Sequence, residues 1–499
     1  MLFRSIPAYC AAKWDGKAWA GLALGLNNAV NALAVDNSGN LYVGGSFATT
    51  PDGNRVNNVA KWDGTAWSPL GSGVSGAIYG CVLDDAGGLY VGGDFSVAGG
   101  GSANCVARWN GRGWASLGSG LNNPVHSLVL DRSGNLYAGG DFTTAGGVRA
   151  SFVAKWDGHA WSPLGELHNK LTALALDNET GTLCAGGFLP VLSSRFGAPF
   201  GNKHVAAWNG SYWYPLPDLG DHVYALLVGS SQTLYAGCGT VLAQLEDSGW
   251  SGLRIYGSPQ SEFGPAIDAI IEDCSGRLYI GGAFLALDGI GANSIAVRSG
   301  DRWSALGSGL NGQVRALALS PSGKLYVAGT FTTAGAKVSP FLAEADVTAL
   351  DVPTLACPTN QTVEFNSAAG SVAFFTPTLS VSCFGSVEIV CVPPSGSTFP
   401  IGTNMVRCTA TNSAGNGSQC EFTVTVLGPR QVKNCETSMF AVVGPVALFV
   451  GNGSDGAFAD LLVVSKADLP GAQTTARQLR DMLSDYVRSG GDAPLEGGK

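Results

Sequence analysis

Five histidines are the residues best suited to proton transfer or metal binding, and their spacing favours neither chemistry. Histidine titrates near neutral pH and its neutral ring is a common metal ligand, so histidines at matching repeat positions would converge on a site. These five occupy different positions of the repeat described below: His126, His159, His168, His204 and His222. No Cys-x-x-Cys spacing occurs, which argues against a zinc site. The sequence therefore predicts no catalytic residue, no metal site and no cofactor.

Serine and aspartate motifs are better explained by turns than by catalysis. The tripeptide Gly71-Ser72-Gly73 recurs as a turn of the repeat, whereas a nucleophile elbow needs Gly-x-Ser-x-Gly between a strand and a helix. The Asp-x-Ser-Gly-Asn turns resemble fragments of calcium loops but lack the second and third carboxylates. Asp94 and Asp141 each follow a double glycine, and this repetition favours turn capping over an acid/base pair.

The elements that would position these residues are copies of one repeat, marked by two signals. The first is Leu-Tyr-x-Gly-Gly or a degenerate copy, at 41–45, 89–93, 136–140, 183–187, 234–238, 278–282 and 325–329. The second is a tryptophan pair around a tight turn: Trp14/Trp19, Trp62/Trp67, Trp109/Trp114, Trp156/Trp161 and Trp208/Trp213. Trp62 follows Trp14 by 48 residues, and Trp109 follows Trp62 by 47. A period of this length indicates one supersecondary unit repeated in space.

Each period contains four short apolar runs, which predict one four-stranded antiparallel sheet. The third period has runs at 125–130, 136–140, 151–156 and 160–164, and its Asp157-Gly158 pair is a hairpin signal. Such a sheet cannot bury both faces alone, and radial stacking of these sheets gives a β-propeller. Seven first runs and seven double-glycine runs predict seven blades. We expect the glycines to allow close backbone approach and the tryptophans to pack as core between blades.

The two ends of the array match, as closure of a ring requires. Residues 8–14 copy the third run, and residues 340–346 are a degenerate copy of the same run. A linear solenoid would instead need capping repeats of a different character at its ends.

This pattern resembles the kelch and galactose-oxidase class of propellers over residues 8–348. The carrying features are the double glycine of the second run, the aromatic-Asp pair after the third and the Trp-x-x-Leu of the fourth. It is even more similar to the Trp-Asp-Gly arrays of large bacterial surface proteins. The resemblance implies a fold rather than an activity, and the copper ligands of galactose oxidase have no counterpart here.

Two divergent loops are the expected contact region. In a propeller, the loops between second and third strands share one face with the links between blades. Most of these loops are short and nearly identical, but residues 188–204 and 251–265 differ, and long loops on a rigid scaffold often bind ligands. The candidate contact residues are Arg195, Phe196, Lys203, Arg254 and Tyr256. The alternative is that these are merely divergent linkers.

Composition excludes several classes of protein. The chain has 499 residues and a net charge of −9, which argues against nucleic acid as a partner. No apolar run reaches the length of about 18 residues that a membrane-spanning helix needs. The hydrophobic share of 45% argues against disorder. Residues 1–5 lack the apolar core of a signal peptide, and we expect a truncated reading frame whose true start lies upstream.

A second module follows at 349–428, and it resembles a hyalin-repeat (HYR) domain, an immunoglobulin-like β-sandwich. The carrying residues include Cys357-Pro358, Cys383-Phe384-Gly385, the stretch 390–403 and Cys408-Thr409-Ala410. Ser382 and Asn412 stand where that family usually has aspartates, which leaves the polar roles of those positions open.

Its cysteines predict disulfides and an oxidising compartment. The five in the module are an odd number, so Cys435 is a candidate sixth partner, although spacing does not fix the pairing: Cys357, Cys383, Cys391, Cys408, Cys420 and Cys435. The other six are expected to be buried small apolar residues: Cys10, Cys81, Cys105, Cys184, Cys238 and Cys274.

Residues 429–499 form the third predicted segment. We expect strands at 441–450 and 461–464 around a turn at 451–456, a short amphipathic helix at 474–487 and a disordered end.

The sequence thus predicts an all-β protein: a seven-bladed β-propeller at 1–348, an immunoglobulin-like β-sandwich at 349–428 and a small C-terminal α+β or partly disordered tail. The expected function is a non-catalytic, secreted or cell-surface interaction protein that binds a protein or glycan on a cell surface or matrix. Two alternatives remain open. One is a carbohydrate-active or oxidase-type propeller enzyme, and the other is a structural stalk fragment of a larger repetitive surface protein.

Overall fold

The computed structural model describes residues 11–14, 19–22, 26–192, 199–257, 264–335, 337–367, 369–380, 383–384, 386–412, 415–428, 438–443, 446–452 and 458–465. Within these residues, the regular structure is β-strand apart from one 3-10 turn at Thr348–Leu350. The chain divides into two compact units. The first comprises Met1–Pro353 together with Val381–Val387 and Asn412–Asn416, and the second comprises Thr354–Ser380, Glu388–Thr411 and Gly417–Lys499.

The described part of the first unit contains seven sheets of four or more strands, and the first four sheets follow chain order. Sheet 1 is Val30–Val35, Leu41–Gly45, Val59–Trp62 and Trp67–Pro69; sheet 2 is Ala77–Leu83, Leu89–Asp94, Val106–Trp109 and Trp114–Ser116. Sheet 3 is Val125–Leu130, Leu136–Gly140, Val153–Trp156 and Trp161–Pro163; sheet 4 is Leu171–Leu176, Leu183–Leu192, Pro199–Trp208 and Trp213–Pro215.

The remaining three sheets vary this plan. Sheet 5 is Val223–Val228, Leu234–Cys238, Val241–Glu246 and Gly249–Tyr256, extended by Ala286–Leu287 and Ile290–Gly291. Sheet 6 is Ala266–Glu272, Leu278–Ala283, Ile295–Ser299 and Arg302–Ala305. Sheet 7 is Val314–Leu319, Lys324–Gly329 and Leu342–Asp346, followed by the N-terminal strands Ala11–Trp14 and Trp19–Leu22. The described residues also contain two-stranded hairpins. In these, Val97–Ala98 pairs with Gly101–Ser102, Thr144–Ala145 with Val148–Arg149, and Thr333–Ala334 with Lys337–Val338.

The seven first strands contact one another in a closed cycle, from sheet 1 through sheet 7 and back to sheet 1. Arg315 Nη1 donates to Asn31 Oδ1 at 2.8 Å across the closing junction. The N-terminal copy of the third strand joins sheet 7 beside the sheet's own third strand, with Trp14 opposite Ala345, and the two strands run parallel. The fourth position of sheet 7 is therefore filled by a third-strand sequence, a detail that the sequence pattern did not predict.

The double glycine, which is complete in five of the seven second strands, has two separate steric reasons. A Cβ on the first glycine would strike the neighbouring sheet: on Gly92 it would lie 2.6 Å from Val125 Cγ1. A Cβ on the second glycine would strike the sheet's own first strand, since on Gly282 it would collide with the carbonyl oxygen of Ala266. The glycines thus permit close packing, both between sheets and within one sheet.

The paired tryptophans form the seams between sheets. The rings of Trp62 and Trp67 lie 5.3 Å apart, and both side chains are buried. Trp161 Nε1 donates to the carbonyl oxygen of Leu117 in the preceding link at 2.9 Å. Trp161 therefore combines apolar burial with a satisfied indole donor, whereas the buried Nε1 of Trp67 has no hydrogen-bond partner among the described residues.

In the second unit, long strands Gly402–Asn412 and Gly417–Leu427 pair antiparallel, flanked by Val387–Val392 and by Gln361–Glu364, which runs parallel to Gly417–Leu427. Two short pairs, Thr354–Ala356 with Thr378–Ser380 and Ser371–Val372 with Thr398–Phe399, complete the described strands of this region. Phe375, Phe399 and Phe422 lie in its core, with the Phe375 and Phe422 rings 4.9 Å apart.

The described cysteines form three disulfides, and one of them corrects the cysteine assignment. Cys357 pairs with Cys420, and Cys391 pairs with Cys408. Cys383 pairs with Cys274, so the prediction of Cys274 as an unpaired apolar residue is wrong. Cys383 consequently does not need Cys435, which lies outside the described residues, as does Cys10. Of the other described cysteines, Cys81, Cys105, Cys184 and Cys238 are unpaired.

The C-terminal segment contains a three-stranded antiparallel sheet of Ser438–Val443, Val446–Asn452 and Phe458–Ser465. The predicted single strand at 441–450 is therefore wrong: two strands pair within that run, and the second continues through Gly451 into the predicted turn. The expected helix at 474–487 lies outside the described residues.

Candidate functional site

The structure describes the strand positions of three of the five predicted contact residues, and the contact site itself stays a prediction. Arg195 and Phe196 lie outside the described residues. Lys203 is on the strand Pro199–Trp208, opposite Leu189. Arg254 and Tyr256 lie on Gly249–Tyr256, where both are exposed and pair with Val241 and Ala286 respectively.

Part of each divergent loop is strand, which corrects the loop prediction for those residues. Residues 188–192 and 199–204 extend the second and third strands of sheet 4. Residues 251–256 continue the fourth strand of sheet 5, which gains a partner in Ala286–Leu287. Extended pairing supplies hydrogen bonds that a free loop would leave to solvent, so these strand residues are part of the scaffold.

A different set of residues marks the axis. The first strand of every sheet has a β-bulge near its beginning, where one residue has no pairing partner on the second strand. That residue lies opposite the peptide link between the two glycines of the second strand, or between the two residues of the degenerate copy. A bulge re-aims the extra side chain and is common beside functional sites. We call these seven residues the bulge ring: Asn31, Tyr79, His126, Thr172, Tyr224, Asp268 and Arg315.

The bulge ring is polar at every position, and no two neighbouring members are alike. Arg315 is exposed and the other six are partly buried. The residues on either side of each bulge are mostly apolar or glycine, and several are buried, as Val125, Val223 and Val314 are. Scaffold positions are thus repeated while the bulge position varies, which is the pattern expected of a recognition site on a repeat scaffold.

Hydrogen bonds connect the ring from sheet to sheet. Asn31 receives the bond from Arg315 and donates through Nδ2 to the carbonyl oxygen of Ile78 at 2.9 Å. Gln313 Nε2 donates to Asp268 Oδ2 at 2.8 Å. Thr172 Oγ1 donates to the carbonyl oxygen of Val223. These bonds fix several side chains in place, as a preorganised site requires.

Two aromatic pairs stand at different sides of the ring. The Tyr79 and His126 rings are 5.4 Å apart, on sheets 2 and 3. The His222 and Tyr224 rings are 4.6 Å apart. Tyr224 lies on the first strand of sheet 5, and His222 immediately precedes that strand.

Charged side chains flank the ring at the same ends of the strands. Asp141 lies 3.2 Å from His126 Nε2 through Oδ1 and accepts from Lys170 Nζ at 2.9 Å through Oδ2. Asp94 ends the second strand of sheet 2 and is exposed. Asp221 accepts from the backbone N–H and the hydroxyl of Thr240, each at 2.9 Å.

Burial and neighbouring charges shift the pKa values of three ring residues. Burial raises the pKa of Asp268 to about 6, and the hydrogen bond from Gln313 and the charge of Arg315 offset only part of this effect. Burial raises the pKa of Tyr79, and Asp94 and Asp141 raise it further while Arg315 lowers it. Burial also raises the pKa of Tyr224, with Asp268 and Asp221 adding to the effect. Arg315 therefore lowers the pKa values of residues on both sheet 2 and sheet 6.

A histidine pair lies next to the ring on the side of sheets 4 and 5. Buried His204 has its Nδ1 at 3.0 Å from Asp218 Oδ1, and its ring lies 5.7 Å from Phe188. Burial lowers the pKa of His222, and the proximity of His204 lowers it further. The lowered pKa of His222 favours the neutral form of that histidine.

At the opposite ends of the strands, the aspartates of the Asp-x-Ser-Gly turns are occupied by local donors. Asp131 Oδ1 accepts from the backbone N–H groups of Ser133 and Asn135, both at 2.9 Å, and Oδ2 accepts from Tyr137 at 3.2 Å. These carboxylates close turns. Within the described ranges, no three His, Cys, Asp or Glu side chains are grouped so as to hold a metal ion.

Histidine spacing does not reveal the bulge ring, because only one of its members is a histidine. The usable signal is the residue after the first Val, Ile or Leu of each first strand, which is polar in all seven copies. Read as one column of the repeat, that position unites one histidine with six residues of other types.

Comparison with known proteins identifies part of the chain. Residues 349–426 match the family model of the HYR domain, which confirms the resemblance expected for that module. No curated protein is similar to the chain in sequence.

Several solved structures are similar at low identity. The extracellular domain of a protein named as the hybrid two component system BT3049 from B. thetaiotaomicron has a TM-score of 0.43 and 13% identity, over 85% of this chain and 58% of that chain. PorZ, a surface component of the type-IX secretion system of Porphyromonas gingivalis, has a TM-score of 0.41 and 14% identity, over 82% of this chain and 61% of that chain. The WD40 β-propeller domain of Doa1 has a TM-score of 0.40 and 13% identity, over 64% of this chain and 93% of that chain. This chain spans less than two thirds of the first two proteins, and similarity at this level is uninformative about function.

Proposed function

We propose that this chain is a non-catalytic, secreted or cell-surface interaction protein whose first unit is a seven-bladed β-propeller. The bulge ring is its recognition site, and the partner is a protein or glycan on a cell surface or matrix. The HYR region, as an immunoglobulin-like sandwich, is a spacer or adhesion module.

The observation that carries this proposal is the contrast between scaffold and bulge. Five of the seven sheets carry the full double glycine, and sheets 1 to 4 each carry a tryptophan pair, yet the seven axial bulges present Asn, Tyr, His, Thr, Tyr, Asp and Arg. Variation at a position that recurs on every sheet is what ligand recognition needs. Three disulfides support an oxidising, extracellular location. In the described residues, no helix has the length and apolar character to cross a bilayer.

The test is an array of glycans and matrix proteins probed with the full chain and two variants. Arg315→Gln alters the bulge ring, and Arg132→Gln makes the same change at an exposed turn at the opposite ends of the strands. We expect selective binding that Arg315→Gln weakens and Arg132→Gln preserves. Uniform absence of binding, or equal effects of the two variants, would count against the proposal.

An enzyme remains the second candidate, favoured by the His204–Asp218 pair, in which a carboxylate lies within hydrogen-bond distance of a buried imidazole. Such a pair can serve as a general base. Turnover of a glycoside or lactone that is lost on His204→Gln would favour this candidate over the binding protein.

A further inference from the structure

We infer that the bulge ring is a carbohydrate-binding site that takes one uncharged sugar residue at the axis. This inference rests on the proposed function and names the class of ligand. The inference is based on two aromatic pairs in the bulge ring or beside it, together with side chains of the ring that can donate or accept hydrogen bonds.

The aromatic pairs supply surfaces for the C–H faces of a sugar ring. Tyr79 and His126 form one pair, and His222 and Tyr224 form the other. All four side chains are partly buried, so each keeps some solvent-exposed surface. Tyrosine suits this role because its ring is apolar while its hydroxyl still makes a hydrogen bond.

The polar members match the hydroxyl groups of a sugar. A hydroxyl both donates and accepts, so its best partners are charged or amide side chains of both kinds. Arg315 and Asn31 provide donors, Asp268 and Asn31 provide acceptors, and Asp141 lies beside His126. Hydrogen bonds to ionised groups are the stronger ones, and the bonds from Gln313 and Arg315 hold these groups ready.

The balance of charge selects an uncharged sugar. Four carboxylates lie in or beside the ring, on Asp94, Asp141, Asp221 and Asp268, whereas the cations that act on it are Arg315 and Lys170. Lys170 is already paired with Asp141. A uronic acid, a sialic acid or a phosphate would meet net repulsion, so neutral hexoses and N-acetylhexosamines are the favoured class.

A protein surface fits the ring less well than a sugar does. Stable protein interfaces cover roughly 800 Å² on each partner and depend on apolar or aromatic anchors at their centre. The bulge ring has one variable residue per sheet, and these residues surround the axis. A ring of this kind suits a single small polar group.

The experiment is isothermal titration of the full chain with neutral oligosaccharides of glucose, galactose, mannose and N-acetylglucosamine, and with oligogalacturonate as the charged comparison. We expect at least one neutral series to bind and oligogalacturonate not to bind. Arg315→Gln should weaken the neutral sugar by about ten-fold or more, the effect of losing one hydrogen bond to a charged group. Tyr79→Ala should also weaken it, Tyr79→Phe should retain most of the affinity, and Arg132→Gln should leave it unchanged.

Two results would overturn the inference. One is sugar binding that is the same in Arg315→Gln and Tyr79→Ala as in the unaltered chain, with both variants folded by circular dichroism. The other is the absence of sugar binding while a protein on the array still binds in a manner that Arg315→Gln weakens. In that second case the proposed interaction function stands and only the carbohydrate assignment fails, whereas loss of all binding refutes both.

Discussion

At the scale of single residues, the carboxyl group of Asp268 in the bulge ring lowers the stability of the folded state at neutral pH. Burial raises its pKa from 3.8 to about 6, so the folded chain holds this proton more tightly than the unfolded chain does. Between about pH 4 and pH 6 the folded state therefore binds more protons, and its stability falls as the pH rises. Above pH 6 the ionised carboxylate remains unfavourable by up to about 3 kcal/mol. A group kept at such a cost among other titratable residues is typical of a binding site.

The substitution Asp268→Asn should therefore stabilise the protein at neutral pH. We expect the free energy of unfolding to rise by about 1–3 kcal/mol at pH 7 and to change little at pH 4, where the native carboxyl is already protonated. Urea unfolding at several pH values measures this difference. Asp301→Asn, on an exposed turn of sheet 6, is the control and should change stability little at either pH. Destabilisation by Asp268→Asn at pH 7 would mean that the carboxylate is a net stabilising partner of Arg315.

At the scale of elements, the second glycine of the pair allows the second strand to lie close to the beginning of the bulged first strand. Gly282 lies opposite Ile267, next to the bulged Asp268, and a Cβ there would collide with the carbonyl oxygen of Ala266. The same collision recurs at Gly45 with Ala29 and at Gly329 with Gln313. At these positions the second glycine makes room for the carbonyl group two residues before the bulged residue, whereas sheet 5 forms its bulge opposite Cys238.

The substitution Gly282→Ala should consequently destabilise the first unit by about 2–3 kcal/mol, the usual cost of overpacking a rigid core. Gly291→Ala is the matched control, since nothing lies within 4 Å of a Cβ at that exposed glycine. Thermal unfolding followed by circular dichroism compares the two. If both variants melted at the same temperature, the steric explanation of the second glycine would be refuted.

The sequence specified the strands better than it specified the site. Leu-Tyr-x-Gly-Gly and the tryptophan pairs recur, so strand positions, turns and burial could be predicted by comparing copies. A bulge has no fixed residue type, since its identity is a shift of pairing between two strands, and Tyr79 and Asp268 have no common chemistry. Sheet 4 was mispredicted for a related reason, because the residues that extend its hairpin beyond Gly187 have no counterpart in the other copies.

At the scale of the whole molecule, the first unit is completed by residues far along the chain. Arg277 is buried and bonds Asp273 Oδ2 at 2.7 Å and Asp351 Oδ1 at 3.3 Å. Asp351 Oδ2 accepts from the backbone N–H of Cys383 at 3.0 Å, and Asn412 Nδ2 donates to the carbonyl oxygen of Asp351 at 2.6 Å. Asn412 thus keeps a polar role although it replaces the aspartate usual in HYR modules. Contacts between residues this distant in sequence are not visible in any local pattern, which is why Cys274 was misassigned.

Removal of the Cys274–Cys383 disulfide should therefore destabilise the first unit specifically. The bond closes a loop of 109 residues, and a cross-link of that span restricts the unfolded chain enough to contribute roughly 2–4 kcal/mol. All twelve tryptophans lie before residue 354, so tryptophan fluorescence reports the unfolding of the first unit alone. We expect Cys274→Ala combined with Cys383→Ala to lower the urea midpoint of that signal. Cys357→Ala combined with Cys420→Ala removes a disulfide that lies wholly in the second unit and should leave the midpoint unchanged. Equal shifts in the two double variants would show that the first unit does not depend on residues 381–387 for its stability.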